Sequence, residues 1–100
     1  MPENPDSLLE WLEEFYSSQC DGQGEHGTGF TIATLDNPGW SVDVDLKDGL
    51  ANKHFEPVQI ERSEHDWVHC RIEANKFRGF GGPNNLTELL ALFRDWASNN

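Results

Sequence analysis

The stretch from Thr31 to Leu46 constrains the fold of this chain more than any other. Trp40, Val42, Val44 and Leu46 alternate with Ser41, Asp43 and Asp45, the period-two pattern of a strand with one buried and one wet face. Phe30 and Ile32 keep the same parity before Asp36-Asn37-Pro38-Gly39, and Thr34 can close their column. The two arms therefore form a hairpin that offers large side chains to one side of a sheet. A slip of one residue would push Trp40 and both valines into water, so the register is well specified. Pro38 presets φ and Gly39 accepts positive φ, which predicts a type II turn over Asn37 to Trp40. Parity makes Trp40 a structural residue, packed against whatever covers the sheet.

Helical patterns flank this hairpin at both ends of the chain. Asn4 is placed to cap a helix with Pro5 at its first position, and the pattern runs to about Ser18. Leu8, Leu12 and Phe15 form its apolar stripe, widened by Leu9, Trp11 and Tyr16, while Glu10, Glu13 and Glu14 face water. Near the C-terminus, Asn85 with Glu88 three residues later resembles a capping box. Leu86, Leu89, Leu90, Phe93 and Ala97 make the stripe that follows.

Between hairpin and final helix, Lys47 to Lys53 is a connection and a strand is expected over about Phe55 to Arg62, with Val58 and Ile60 inward. Pro57 sets that strand at an edge or marks a bulge. Ser63 to Asp66 makes a polar turn. From Trp67 to Glu73 the pattern alternates again, Val68, Cys70 and Ile72 on one face and Trp67, His69, Arg71 and Glu73 on the other. Gly79, Gly81, Gly82 and Pro83 then break the periodicity, so this run is expected to be a mobile connection. The reading is an α+β, two-layer fold, with an antiparallel four-stranded meander packed on one face by the two helices. Residues 1–100 are expected to make one domain, because a chain of this length can bury roughly two-thirds of its surface.

Composition narrows the functional classes. Seven basic against eighteen acidic residues give a net charge of -11, yet 36% of the residues are hydrophobic, which argues against disorder. Such a surface repels nucleic acid and anionic membranes and favours basic partners. The N-terminal residues contain no basic region followed by an apolar run, and a cytoplasmic location is expected. Cys20 and Cys70 are widely spaced and outside any CxxC pattern, so free buried thiols are expected.

Two surfaces could carry chemistry. Cys20, Asp21, Glu25 and His26 lie among glycines and include the residue types of a metal site or an acid/base pair, but their spacing matches no zinc pattern. His54, His65 or His69 could complete such a site only through the fold. No catalytic residues and no cofactor are assigned, since nucleophile elbows and phosphate-loop or dinucleotide fingerprints are absent. A small metal-dependent enzyme or metal-binding module using those four residues is the alternative. Otherwise Asp21, Glu25 and His26 are expected to hold their loop by hydrogen bonds to its backbone. The second surface is the uncovered sheet face, which should carry Asp43, Asp45, Glu61, Trp67, His69, Arg71 and Glu73. An indole among carboxylates suits protein binding, the carboxylates steering a basic partner and Trp67 anchoring it.

Several motifs together resemble a known family. Cys20-Asp21-Gly22 with Glu25-His26, Thr34-Leu35-Asp36-Asn37-Pro38-Gly39-Trp40, Ile60-Glu61-Arg62-Ser63 with Asp66-Trp67, and Asn75-Lys76-Phe77 with Gly81-Gly82-Pro83 are similar to the immunity protein 53 family of bacterial polymorphic toxin systems. The resemblance extends over nearly the whole chain. It implies a non-catalytic protein that binds and neutralises a cognate toxin in the cytoplasm. Many toxins of such systems are nucleases with basic grooves, which an acidic inhibitor would suit. It also marks Cys20, Asp21, Glu25, His26 and Asp36 to Trp40 as motif residues, structural or binding.

Overall fold

In the computed structural model, residues 5–19, 29–46, 50 and 52–98 are described. Helix α1 (Pro5–Gln19) is followed by β1 (Phe30–Leu35), β2 (Gly39–Asp45), β3 (Val58–Ser63), β4 (Asp66–Glu73), β5 (Lys76–Gly81) and helix α2 (Leu86–Ser98). The strands form one antiparallel sheet in the order β1-β2-β5-β4-β3. The fold is α+β as expected, but five strands replace the expected four and the order is not a meander. After β2 the chain reaches the far edge, then returns through β3 and β4 so that β5 closes against β2.

The extra strand is the glycine run that the sequence pattern left as a mobile connection. In β5, Phe77, Gly79 and Gly81 face the helices. A β-carbon on Gly79 would lie 3.2 Å from Leu89 Cδ2, and one on Gly81 3.1 Å from Leu89 Cδ1. Glycine here clears the seat of α2 at the centre of the sheet, a close-approach role that overrides its weak strand preference. The following turn is tied down as well, because Gly82 N donates to Trp67 O at 3.1 Å and Asn85 N to Gly82 O at 3.1 Å.

The hairpin forms in the expected register, with Phe30, Ile32 and Thr34 opposite Val44, Val42 and Trp40. Its turn differs from the expected type II. Leu35 pairs directly with Gly39, which leaves Asp36, Asn37 and Pro38 as a three-residue loop, and Gly39 does not adopt positive φ. Gly39 is needed for space instead, since a β-carbon there would lie 2.3 Å from the Gly81 carbonyl oxygen. Positive φ occurs at Ala74 (53°) and Asn75 (62°), the central pair of the β4–β5 hairpin, as a type I′ turn demands. Pro57 immediately precedes β3, which is an edge strand with a register shift between Glu61 and Ser63.

One core joins the layers. Val42, Val44, Leu46, Val68, Cys70 and Phe77 of the sheet side meet Leu89, Leu90 and Phe93 of α2 and Leu8 and Leu12 of α1. Phe93 is its hub. The Phe93 ring centroid lies 5.0 Å from Phe77, 5.2 Å from Phe15, 6.0 Å from Trp11 and 6.1 Å from both Phe30 and Trp96. Phe55, ahead of β3, packs edge-on against Phe77 and Trp96, and the Trp96 indole donates to the His54 carbonyl at 2.8 Å. The approach to β3 is thus fastened beside the helices. Cys70 is a free thiol in this core, and burial, helped by the charge of Glu88, pushes its pKa up to about 12. It is therefore protonated and unreactive at neutral pH. Cys20 lies outside the described residues.

Trp40 is half-buried against the core, as parity required, and its indole N–H donates to the Pro83 carbonyl at 2.9 Å. Trp40→Ala is expected to lower unfolding free energy by roughly 3 kcal/mol and Trp40→Phe by about 1 kcal/mol, read by urea denaturation. Two backbone substitutions should act in opposite directions. Gly39→Ala forces a β-carbon into the β5 backbone and is expected to cost about 2–3 kcal/mol. Ala74→Gly relieves a left-handed alanine and is expected to add about 0.5 kcal/mol; equal melting temperatures for these two variants would contradict the geometry.

Candidate functional site

Strand parity carries all seven residues expected on the uncovered face to that face, and register arranges them in rows. Asp45 faces Lys76, which faces Glu73; Asp43 faces Arg78, which faces Arg71; Phe80 lies between Ser41 and His69. Trp67 lies opposite Glu61 at the β3–β4 end. Lys76, Arg78 and Phe80 were missed because they belong to β5. Their signal was present in the alternation of Phe77, Gly79 and Gly81 with charged or aromatic residues, once glycine is allowed on the covered side.

These rows neutralise the carboxylates within the face. Arg78 Nε lies 3.2 Å from Asp43 Oδ1, and Arg78 Nη1 and Arg71 Nη2 each lie 3.3 Å from Glu73 Oε1. Lys76 Nζ is 3.2 Å from Asp45 Oδ1, and the other Asp45 oxygen accepts from Gly29 N at 3.0 Å. His69 Nε2 lies 2.9 Å from Glu61 Oε2. The Arg71 and Arg78 guanidinium groups also sit 5.5 and 5.6 Å from the Phe80 ring centroid. Four carboxylates thus share the face with three permanent cations. Its mixture of residues is as expected, but little negative field is left over for steering.

The apolar part of the face is at its β3–β4 end. Trp67 and His69 are half-buried with ring centroids 5.0 Å apart, and they line a cleft of about 460 Å³ with Glu61, Arg62, Ser63 and Glu64. Behind the cleft, Asn85, buried at the start of α2, joins helix to sheet. Its Nδ2 donates to Asp66 Oδ1 at 3.0 Å and to Glu88 Oε1 at 3.1 Å, and its Oδ1 accepts from Trp67 N at 3.4 Å. Arg62 then bridges Asp66 at 2.8 Å and Glu88 at 2.7 Å. Asn85 therefore spends its side chain on holding β4, with Glu88 as its neighbour, in place of the reciprocal capping box.

Cys20, Asp21, Glu25 and His26 lie outside the described residues. Among the described residues no group of three or more His, Cys, Asp or Glu side chains is placed to hold a metal ion, and no helix is long and apolar enough to cross a membrane.

Comparison with known protein families matches the chain to immunity protein 53 over residues 9–98. The chain belongs to the immunity protein 53 family. No match is found among curated proteins or among solved structures. The matched span takes in α1 from Leu9 onward, the whole sheet and α2 of this immunity protein 53 member, including β5 and the Asn85 junction.

That junction sets an acid sensitivity. Hydrogen bonds from Arg62 hold the Glu88 carboxyl below its ordinary 4.5, and those from Asn85 and Arg62 hold Asp66 below its ordinary 3.8. Groups with depressed folded pKa values contribute stability above their ordinary values and lose it as pH falls through the folded ones. The melting temperature of wild type is therefore expected to exceed that of Glu88→Gln at pH 7, with the gap closing steadily below pH 4.5. A gap that stayed constant down to pH 3 would show that the Glu88 carboxylate is not what holds the junction.

Proposed function

We propose that this chain is a non-catalytic antidote that binds a cognate protein toxin of a bacterial polymorphic toxin system and neutralises it in the cytoplasm. The observation that carries this reading is the family match over residues 9–98. The net charge of -11 supports a partner with a basic surface, such as a nuclease whose groove holds phosphate. The uncovered sheet face is proposed as a contact surface, with Asp43, Asp45, Glu61, Arg71 and Glu73 around the Trp67–His69 pair.

The pairing within that face shapes how it would recognise a toxin. Its ion pairs fix the positions of Arg71, Arg78 and Asp43 before a partner arrives, so binding there would draw on shape, aromatic burial and re-used hydrogen bonds. Trp67, already half-buried against its own sheet, would lose little freedom when covered.

The test is a binding experiment with the toxin domain encoded in the neighbouring reading frame. A one-to-one complex and protection of cells expressing that toxin are expected. Trp67→Ala should speed dissociation by about tenfold while leaving association within about twofold. Absence of any complex with the wild-type chain would refute the proposed function, whereas an unchanged Trp67→Ala complex would remove only the sheet face.

A further inference from the structure

Among the described residues, the three exposed large hydrophobic side chains are Leu9 (51%), Tyr16 (44%) and Ile32 (42%). They are not scattered. Together with Leu12, Phe30 and Glu13 they line one groove of about 300 Å³ between α1 and β1. Leu9, Glu13 and Tyr16 lie four and three residues apart on one stripe of α1, and Ile32 continues the apolar floor across β1, the edge strand. Ile32 keeps the inward parity of its strand, opposite Val42, yet the helical layer does not cover it. Contiguous apolar surface of this kind, rimmed by charge, marks sites of association.

Glu13 forms the charged lip of the groove. Glu10, Glu13 and Glu14 are exposed on α1, which contains no Lys or Arg. Among the described residues no salt bridge reaches any of the three. The sheet face is the opposite case, since each of its four carboxylates has a cation or His69 within 3.3 Å. A second copy of the chain is a poor occupant for the groove, because two such helices would bring like charges together.

We infer that the groove between α1 and β1 takes a segment of the toxin that carries Lys or Arg beside apolar side chains. The apolar groups enter between Leu9, Tyr16 and Ile32, and the cations meet Glu13 and its neighbours on α1. This inference rests on the antidote reading above and moves the electrostatic steering from the sheet to α1. The sheet face keeps its own ion pairs.

Surface kinetics with the same immobilised toxin domain test it. Leu9→Ser combined with Ile32→Thr is expected to raise the dissociation rate about tenfold. Glu13→Lys is expected to lower the association rate at least about threefold and to flatten its salt dependence. Asp95→Lys, the same charge change on an exposed residue of α2, is expected to have the smaller effect. The altered side chains are exposed, and melting temperatures near wild type confirm that the variants fold. Wild-type binding with unchanged rates in both groove variants would overturn the inference and leave the antidote reading standing. No wild-type complex would overturn both. A free protein that sediments as a dimer and becomes monomeric in the Leu9→Ser, Ile32→Thr variant would assign the groove to a second copy and overturn the inference.

Discussion

The contact on which the rest of this structure depends is the seat of Leu89 over Gly79 and Gly81. Two glycines in the middle of a sheet remove the side chains that would hold a helix away, and Leu89 takes the space, its two methyl groups standing 3.2 and 3.1 Å from where β-carbons of residues 79 and 81 would lie. Because α2 lies this close, Phe93 one turn later reaches Phe77 on β5 and the rings of α1 and β1 together. At the near end of the helix, Asn85 and Glu88 come within hydrogen-bond reach of Asp66 and Arg62 on the far strands. The position of one helix thus links both edges of the sheet.

The same contact explains what could be read from sequence and what could not. Both helices, the Thr31–Leu46 hairpin and the alternation from Trp67 to Glu73 were legible, because there the apolar side chains themselves mark the buried face. At β5 the buried face is marked by missing side chains, and glycine in a strand looks like a break until the helix that needs the space is known. Gly39 misled in a related way. Its motif suggested a turn requiring positive φ, whereas the backbone of Gly81 is what excludes a β-carbon there. The β4–β5 turn gave no warning either, since Ala74-Asn75 lacks the Asn-Gly signature of its class. As β5 was missed, so were the cations of the sheet face. The site was therefore legible as a set of residues but not in its charge balance.

Charge balance separates the two surfaces. On the sheet, cross-strand neighbours of opposite sign are placed by register, as Asp43 beside Arg78 and Asp45 beside Lys76. Such pairs contribute little stability when exposed, but they fix long side chains and cancel most of the outward field. On α1 no such cancellation occurs among the described residues, and the helix itself carries Glu10, Glu13 and Glu14 and no basic residue. Net charge alone, the quantity visible in composition, could not distinguish these surfaces. Only the strand order does so, by inserting β5 and its basic residues between β2 and β4.

An inhibitor that must intercept a toxin quickly and then retain it needs two physical properties that one surface supplies poorly. Unpaired charge accelerates encounter but is screened beyond about 8 Å at physiological salt and must be desolvated on contact. Apolar and aromatic burial slows escape but attracts nothing from a distance. In the α1–β1 groove the two lie side by side, with Glu13 on the lip, Glu10 and Glu14 further along the exposed face of α1, and Leu9, Tyr16 and Ile32 on the floor, so the charges can act before contact without being buried by it. Keeping them at the rim avoids the desolvation penalty that would fall on a carboxylate at an interface centre. The sheet face is built differently: its carboxylates are already held by its own cations, and its Trp67 cleft has a half-buried indole at its centre. Under the proposed function it would serve to retain a partner that another surface has brought close.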